Sequence, residues 1–553
     1  MSRVTTFVIG CFLFSLAEPV AAQQTPSAKA PPSMPEIHSL NIIHAPAAVI
    51  VALDQRLPQT KLMPAKIIKD LCHYKYRVTT NSPECQTFVD QSLGYFYSYV
   101  WMEAARSAET AIRHDPECAY AWFALHRALE KWGRGDANKA LEKAKELMPK
   151  AGQREQLIIQ AKLQEKGMWP GVGPEDRKKK AAATLDELLT LYDDDEEGWF
   201  ARAQINGGNE GVVYYKALLK VDPLHPGANH ELVHFYEGYK RPALGWPFAE
   251  AYIASSPGIP HAFHMQAHLG TRIGKWGKTT DWSARAIELQ KAYHQEMNVK
   301  TSEDWQYDHH LETLTRSLIH DGRIAEAKAI HDEIDKNNAR RGDWALHWFR
   351  MYRTGYEWDE LKKFIAETRK YDKPTASYYA ACVALDQGNV QSATAEVDVL
   401  RQELQKKKND RRLEQRLWEV QGRLMCQQGS GDEGIKLMQR AVDKTKDNYT
   451  DHAWGHGAYY MEQWGIGALE AGNAAMAEEA FLEALAHDAG SARAALGMQA
   501  LCDRLGRIEE AARFAQVAER CWAKADRKVF ELLRDDMRKK AEHVAHDATT
   551  TGR

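Results

Sequence analysis

Apolar residues along this chain recur at helical spacing, in stretches such as Ala119 to Trp132 and Gly457 to Ala471, and no sustained run alternates apolar with polar positions. Spacing of three to four residues gathers side chains on one face of a helix, whereas a half-buried strand needs alternation at every second residue. The pattern therefore predicts an all-α chain. Its helices come in a repeating order. Gly472 recurs as Gly506, Ala477 as Ala511 and Ala484 as Ala518, each pair 34 residues apart. That period suits a helix–turn–helix unit: the glycine closes one helix and frees the turn, and the small alanines let the second helix pack closely. Ala104, Ala111 and Pro116 keep the spacing of the alanines and of a closing proline, and Gly322 with Ala327 and Gly388 with Ala393 repeat the five-residue Gly–Ala offset. One such unit cannot bury its own apolar face, so about ten to twelve of them must stack.

Segment boundaries follow from local composition. Arg3, the apolar run Phe7 to Leu16 and the small residues of Val20-Ala21-Ala22 read as a signal peptide over residues 1–22, cleaved after Ala22. Cys11 sits in a lipoprotein-like context, but the apolar run continues past it. Residues 23–36 are rich in Pro, Ser and Ala and read as a flexible linker. Residues 37–81 form a leader in which Pro46, Pro58 and Pro64 discourage a long helix. The repeats are expected over 82–523, opening at Ser82-Pro83. Residues 524–553 are expected to hold a capping helix, with Val529, Leu532, Leu533 and Met537 as its apolar stripe, and a polar tail.

Composition narrows the functions. Among 553 residues, 73 are basic and 76 acidic, which gives a formal net charge of -3 and none of the basic footprint of a nucleic-acid binder. No later stretch is long and apolar enough to be a transmembrane helix. The expected location is therefore outside the cytoplasm, periplasmic or extracellular and soluble after cleavage. Eight cysteines show no CxxC or zinc-finger spacing, although Cys85 and Cys118 bracket one helix pair and are placed to meet. Signatures of nucleotide-binding loops, serine hydrolases and kinases are absent.

Candidate chemistry concentrates between Leu224 and Asp321. His230 and His234 stand four apart with Glu237 three further on, His264 and His268 are four apart with His261 one turn earlier, and His309 and His310 follow early in the next helix. Residues four apart share a helix face, and first helices of neighbouring pairs lie about 8–10 Å apart on the concave wall of such an array. Imidazoles from adjacent helices can then converge on one divalent transition metal, Zn or Cu among the candidates, with Glu237 as a hard ligand or as a partner behind one. The expected metal set is His230, His234, Glu237, His261, His264, His268 and His309. The competing interpretation is structural: histidines at helix starts often cap, hydrogen-bond a carboxylate or pack in the core.

The repeat skeleton resembles the tetratricopeptide-repeat superfamily, which implies a right-handed superhelix of helix pairs and a concave groove for a protein or peptide. The histidine stretch resembles a group of uncharacterised bacterial tetratricopeptide-repeat proteins with the pattern HPGANHxxxHxxE, then HxxHMxxHxxxRxG, then a Tyr-x-His segment. The matching residues are His225, Pro226, Gly227, Asn229, His230, His234 and Glu237, then His261, His264, Met265, His268, Arg272 and Gly274, then Tyr307 and His309. Gln266 stands where that pattern suggests proline, which is expected to loosen the helix start. The resemblance brings no established activity.

His230-Glu231-Leu232-Val233-His234 also fits HExxH, in which two histidines bind zinc and the glutamate acts as general base. Against a peptidase stand the helical context, without a strand to hold substrate, and the lack of a third ligand at a known spacing. Two functions therefore remain: a binding scaffold whose inner wall carries a histidine site, with Trp101, Trp122, Trp199, Trp276, Trp282 and Trp305 as candidate groove aromatics, and a metal-dependent hydrolase with Glu231 as its base.

Overall fold

The computed structural model describes residues 56–336, 341–407, 409–446 and 457–545. The segments expected as signal peptide and linker, part of the expected leader and the end of the expected polar tail lie outside the described residues. The described residues contain twenty-five α-helices and no strand. They are numbered α1 to α25 in chain order, and consecutive helices pack as antiparallel pairs. The first pair is α1 (Pro83–Tyr97) with α2 (Trp101–His114). The last is α23 (Ala492–Arg504) with α24 (Ile508–Cys521), followed by α25 (Arg527–Ala541). First helices of successive pairs also touch one another, so the array is a solenoid with one helix layer inside and one outside.

The sequence signals act locally as their chemistry dictates. Ser82 caps α1 by accepting from the Cys85 amide at 3.1 Å, with Pro83 in the first turn. Gly322, Gly388, Gly472 and Gly506 end first helices in the left-handed region, at φ of 72°, 67°, 72° and 72°. Ala104, Ala111, Ala327, Ala393, Ala477, Ala484, Ala511 and Ala518 are all buried at the helix–helix contacts. One close approach needs no side chain at all: between α19 (Arg411–Gln427) and α20 (Gly431–Lys446), a Cβ on Gly422 would lie 2.6 Å from the Gly434 carbonyl oxygen. On α25, Val529, Leu533 and Met537 are buried as the stripe requires, and Phe530 joins them. Leu532 is exposed instead, because it sits one position round the helix from that stripe. The thiols of Cys85 and Cys118 are hydrogen-bonding neighbours, and both cysteines are free.

The array curls back on itself, and this positions the site. Helix α1 touches α9 (Pro226–Gly238), eight helices later. The corner after α1, Ser98-Tyr99-Val100, lies over α9, α11 (Pro260–Arg272) and α13 (Trp305–His320), which are neighbouring first helices. Farther along, the Trp276 indole donates to Asp488 and the Trp522 indole to the His320 carbonyl, which ties the end of the array to its middle. Residues 56–82 carry no helix; Tyr74 and Tyr76 there donate to Glu197 and Asp195 at 3.1 Å each. No described helix is long and apolar enough to cross a membrane.

Candidate metal centre

The motif around α9 has a separate local reason for almost every residue. His225 caps the helix, its Nδ1 accepting from the Ala228 amide at 3.1 Å, and Pro226 occupies the first turn. Asn229 donates to the carbonyls of Pro223 and His225 at 3.1 Å each, fixing the entry of the chain. A side chain on Gly227 would run into the rings of Tyr97 and Phe200, so glycine is what lets α9 settle against the end of α1. That approach brings His230 Nδ1 to 2.6 Å from the Tyr97 carbonyl oxygen. A carbonyl only accepts, so Nδ1 carries the proton and Nε2 presents its lone pair.

Nε2 of His230 faces Nε2 of His261 at 3.1 Å, and His234 completes a group whose ligand atoms all lie within 4.8 Å of one another. The Nδ1 of His234 faces Glu237 at 3.5 Å, which leaves its Nε2 buried without a hydrogen-bond partner. A second group of the same size is made by His264, His268 and His309. There the facing atoms are Nε2 of His268 and Nε2 of His309, 3.2 Å apart, and Nδ1 of His268 lies 3.0 Å from Glu237. Tetrahedral zinc with bonds of about 2.0–2.1 Å holds its nitrogen ligands about 3.3–3.4 Å apart, close to both separations.

His310, which the spacing pointed to only as a neighbour of His309, joins the two groups. Its Nδ1 meets Gln290 Oε1 at 2.8 Å, its Nε2 lies 3.4 Å from Nδ1 of His261, and its ring centroid is 4.0 Å from that of His264. Gln290, Gln306, Tyr97 and Tyr99 belong to the site as well. Their sequence context gave no signal, since they come from a second helix, a helix start and the corner of a distant pair.

Electrostatics favour neutral rings. Burial pushes His230, His261, His264 and His310 well below the usual histidine range, helped by neighbouring imidazoles, and lowers His268 to about 4. Neutral imidazole is the form that binds Zn, Cu, Ni or Fe(II). Burial alone would raise Glu237, but His268, His234 and Arg272 outweigh it and hold this carboxylate well below its usual range. Arg272 is ion-paired to Glu237 and donates to the His268 carbonyl at 2.9 Å. Glu237 thus faces the Nδ1 atoms of His234 and His268, behind the nitrogens that converge, and belongs to neither triplet.

Tyr99 covers the first triplet, its ring 4.4 Å from that of His230 and stacked on His234 at 5.8 Å. It does so at φ 59°, a conformation that costs a bulky residue about 1–3 kcal/mol. Its hydroxyl donates to Glu231 at 3.0 Å. Glu231 and His234 both line a cavity of about 570 Å³, together with Tyr99, Trp101, Gln204 and Tyr215. Of the tryptophans, Trp101 is half-buried on this wall and stacks on exposed Trp305 at 5.9 Å. Trp276 is buried against the chain end instead.

The remaining motif positions are structural: Met265 is fully buried and Tyr307 packs on His294. Gln266 does not loosen a helix start. It lies in the interior of α11, whose first turn is set by Pro260.

No protein-family model matches the chain, and no curated protein matches it. Among solved structures, one similar chain comes from the complex described as Naa15/Naa10 bound to HypK-THB, at 12% identity and a TM-score of 0.27, covering 85% of this chain and 69% of that one. A likeness this slight bears on neither the site nor the activity.

Proposed function

We propose that this chain is an exported, tetratricopeptide-like scaffold that holds a divalent transition metal on its inner wall through His230, His234 and His261. One observation carries the reading: the Nε2 atoms of His230 and His261 face each other at 3.1 Å while Nδ1 of His230 is committed to the Tyr97 carbonyl. With Gln306 donating to Nδ1 of His261, the His230 lone pair meets a proton on Nε2 of His261, and a cation that displaces this proton would be bound by both nitrogens. The set is nitrogen only, which favours zinc or copper over the oxygen-seeking calcium and magnesium. The cavity and the aromatic wall beside it are the surface offered to a protein or peptide ligand. Export rests on residues 1–22 alone.

A metal-dependent hydrolase is the second reading, because Glu231 and His234 line the same cavity. The third ligand that HExxH lacks at any familiar spacing is supplied by His261 from the next pair. Three histidines and an open fourth position are the ligand arrangement of a catalytic zinc, which would supply an activated water. Tyr99 and Gln204 hold Glu231 on the cavity wall.

Elemental analysis of protein purified without chelator tests the first reading. A stoichiometric transition metal that is lost in His230→Ala/His234→Ala supports it. Metal retained at the wild-type level in that variant, or none bound by wild type after loading, overturns it. Hydrolysis is supported by peptide cleavage that needs metal and disappears in Glu231→Gln.

A further inference from the structure

We infer that His264, His268 and His309 form a second transition-metal site, distinct from the triplet of His230, His234 and His261, and that Glu237 orients ligands of both. The inference uses the same metal class as the proposed function but different residues.

His264 is 1% exposed, and neither of its ring nitrogens has a hydrogen-bond partner. A buried imidazole normally satisfies at least one nitrogen, because leaving both dry forfeits the water they had in the unfolded chain. Here the atoms around it are other imidazoles: His268, His309 and His310 have ring centroids 4.3, 4.6 and 4.0 Å away. A core that needed only packing would be filled more cheaply by leucine. His268 is also turned so that its lone pair faces inward, toward His309. Glu237 accepts from Nδ1 of His268 at 3.0 Å, which leaves Nε2 toward Nε2 of His309 at 3.2 Å. Behind His309, Glu312 lies 3.9 Å from Nδ1, and it is itself fixed by Arg316 and His347. Carboxylates behind the outer nitrogens of two histidines, with the inner nitrogens converging, is how a protein orients imidazoles toward a metal.

Two ions rather than one follow from the division of the atoms. Each triplet has its ligand atoms within 4.8 Å of one another, and the two sets share no residue. His310 sits between them, anchored by Gln290 and directed at His261. Glu237 spans both, at 3.5 Å from His234 and 3.0 Å from His268. The chemistry fits Zn²⁺, Cu²⁺, Ni²⁺ or Co²⁺, and excludes a hard oxygen-loving cation.

The experiment is a titration of the full chain, stripped with chelator, with Co²⁺ and Zn²⁺, read by calorimetry, by d–d absorbance for cobalt and by elemental analysis. Wild type is expected to take two equivalents. His264→Ala and, separately, His309→Ala should each take one, as should the double variant His230→Ala/His234→Ala. His309 is half exposed, so its replacement keeps the fold, which circular dichroism verifies. Glu237→Gln should weaken both equivalents by about ten- to a hundred-fold. A single equivalent in wild type that only the His264 and His309 variants remove supports this site and sinks the first. A single equivalent removed by the His230/His234 pair, alone or along with the others, overturns the second site, and so does the absence of binding.

Discussion

His230 donates from Nδ1 to the carbonyl of Tyr97 across 2.6 Å, although 133 residues separate them in the chain. This bond joins the first helix pair to the fifth and sets which nitrogen of His230 faces its neighbours. It depends on Gly227, one turn earlier on the same helix, having no side chain.

Gly227→Ala is therefore expected to push α9 away from Tyr97. Overpacking of this kind costs about 1–3 kcal/mol, which urea unfolding measures. Metal affinity should fall with it, because the His230–Tyr97 bond and the His230–His261 spacing both rely on that approach. An alanine variant with wild-type stability and wild-type metal binding would show that the contact relaxes freely.

Glu231→Gln is expected to leave bound metal unchanged. Glu231 lies outside both triplets and bonds to Tyr99 and Gln204, and glutamine keeps an acceptor for the tyrosine hydroxyl. Elemental analysis of the two proteins decides this. A loss of metal would place Glu231 among the ligands and remove it as a candidate base.

Asp488 gives a pH signature away from the histidines. Burial pushes its carboxyl up to about 7, only partly offset by the Trp276 and Gly490 N–H groups. A carboxyl whose folded value lies above its unfolded value binds more protons when folded, so stability falls as pH rises from about 4 to 7 and then levels off. Asp488→Asn keeps an acceptor for Trp276 and removes this loss. It should stabilise the protein by up to about 4 kcal/mol at pH 8, and much less at pH 4. Thermal melts at the two pH values provide the comparison, and an equal effect at both would refute the assignment.

Asp386 behaves in the opposite sense. Although burial raises it, Arg353 and Arg423 dominate and hold it well below the usual carboxylate range, with bonds of 2.6 Å from each. Its contribution is full above about pH 4 and is lost as pH falls below that. Asp386→Ala leaves two buried guanidiniums short of a partner and is expected to cost about 3–5 kcal/mol at neutral pH by urea unfolding. Metal stoichiometry should not change, because the substitution lies in a different part of the array.

Much of this was legible from the residues. The helix period, the closing glycines and the buried alanines state the solenoid, because a helix pair is a local object governed by turn chemistry and small-residue packing. Histidines at a four-residue interval had to share a face on α9 and on α11. Two features were not legible. From its position on that face Glu237 is either a ligand or a partner behind one, and the contacts with Arg272 and His268, which draw it behind the converging nitrogens, come only with the fold. Gln290 and Tyr99 looked like ordinary helix and corner residues, and His310 was marked only by its place next to His309.

The sequence by itself determined the all-helical repeat and placed the histidines on the inner helices of three successive pairs. Only the tertiary structure decided that they divide into two triplets, and that the corner Tyr97–Tyr99 closes over the first. The reason is physical. Periodicity fixes which face of a helix a residue occupies, but the meeting of α1 with α9 depends on the curvature accumulated over the intervening helices, which no local pattern encodes.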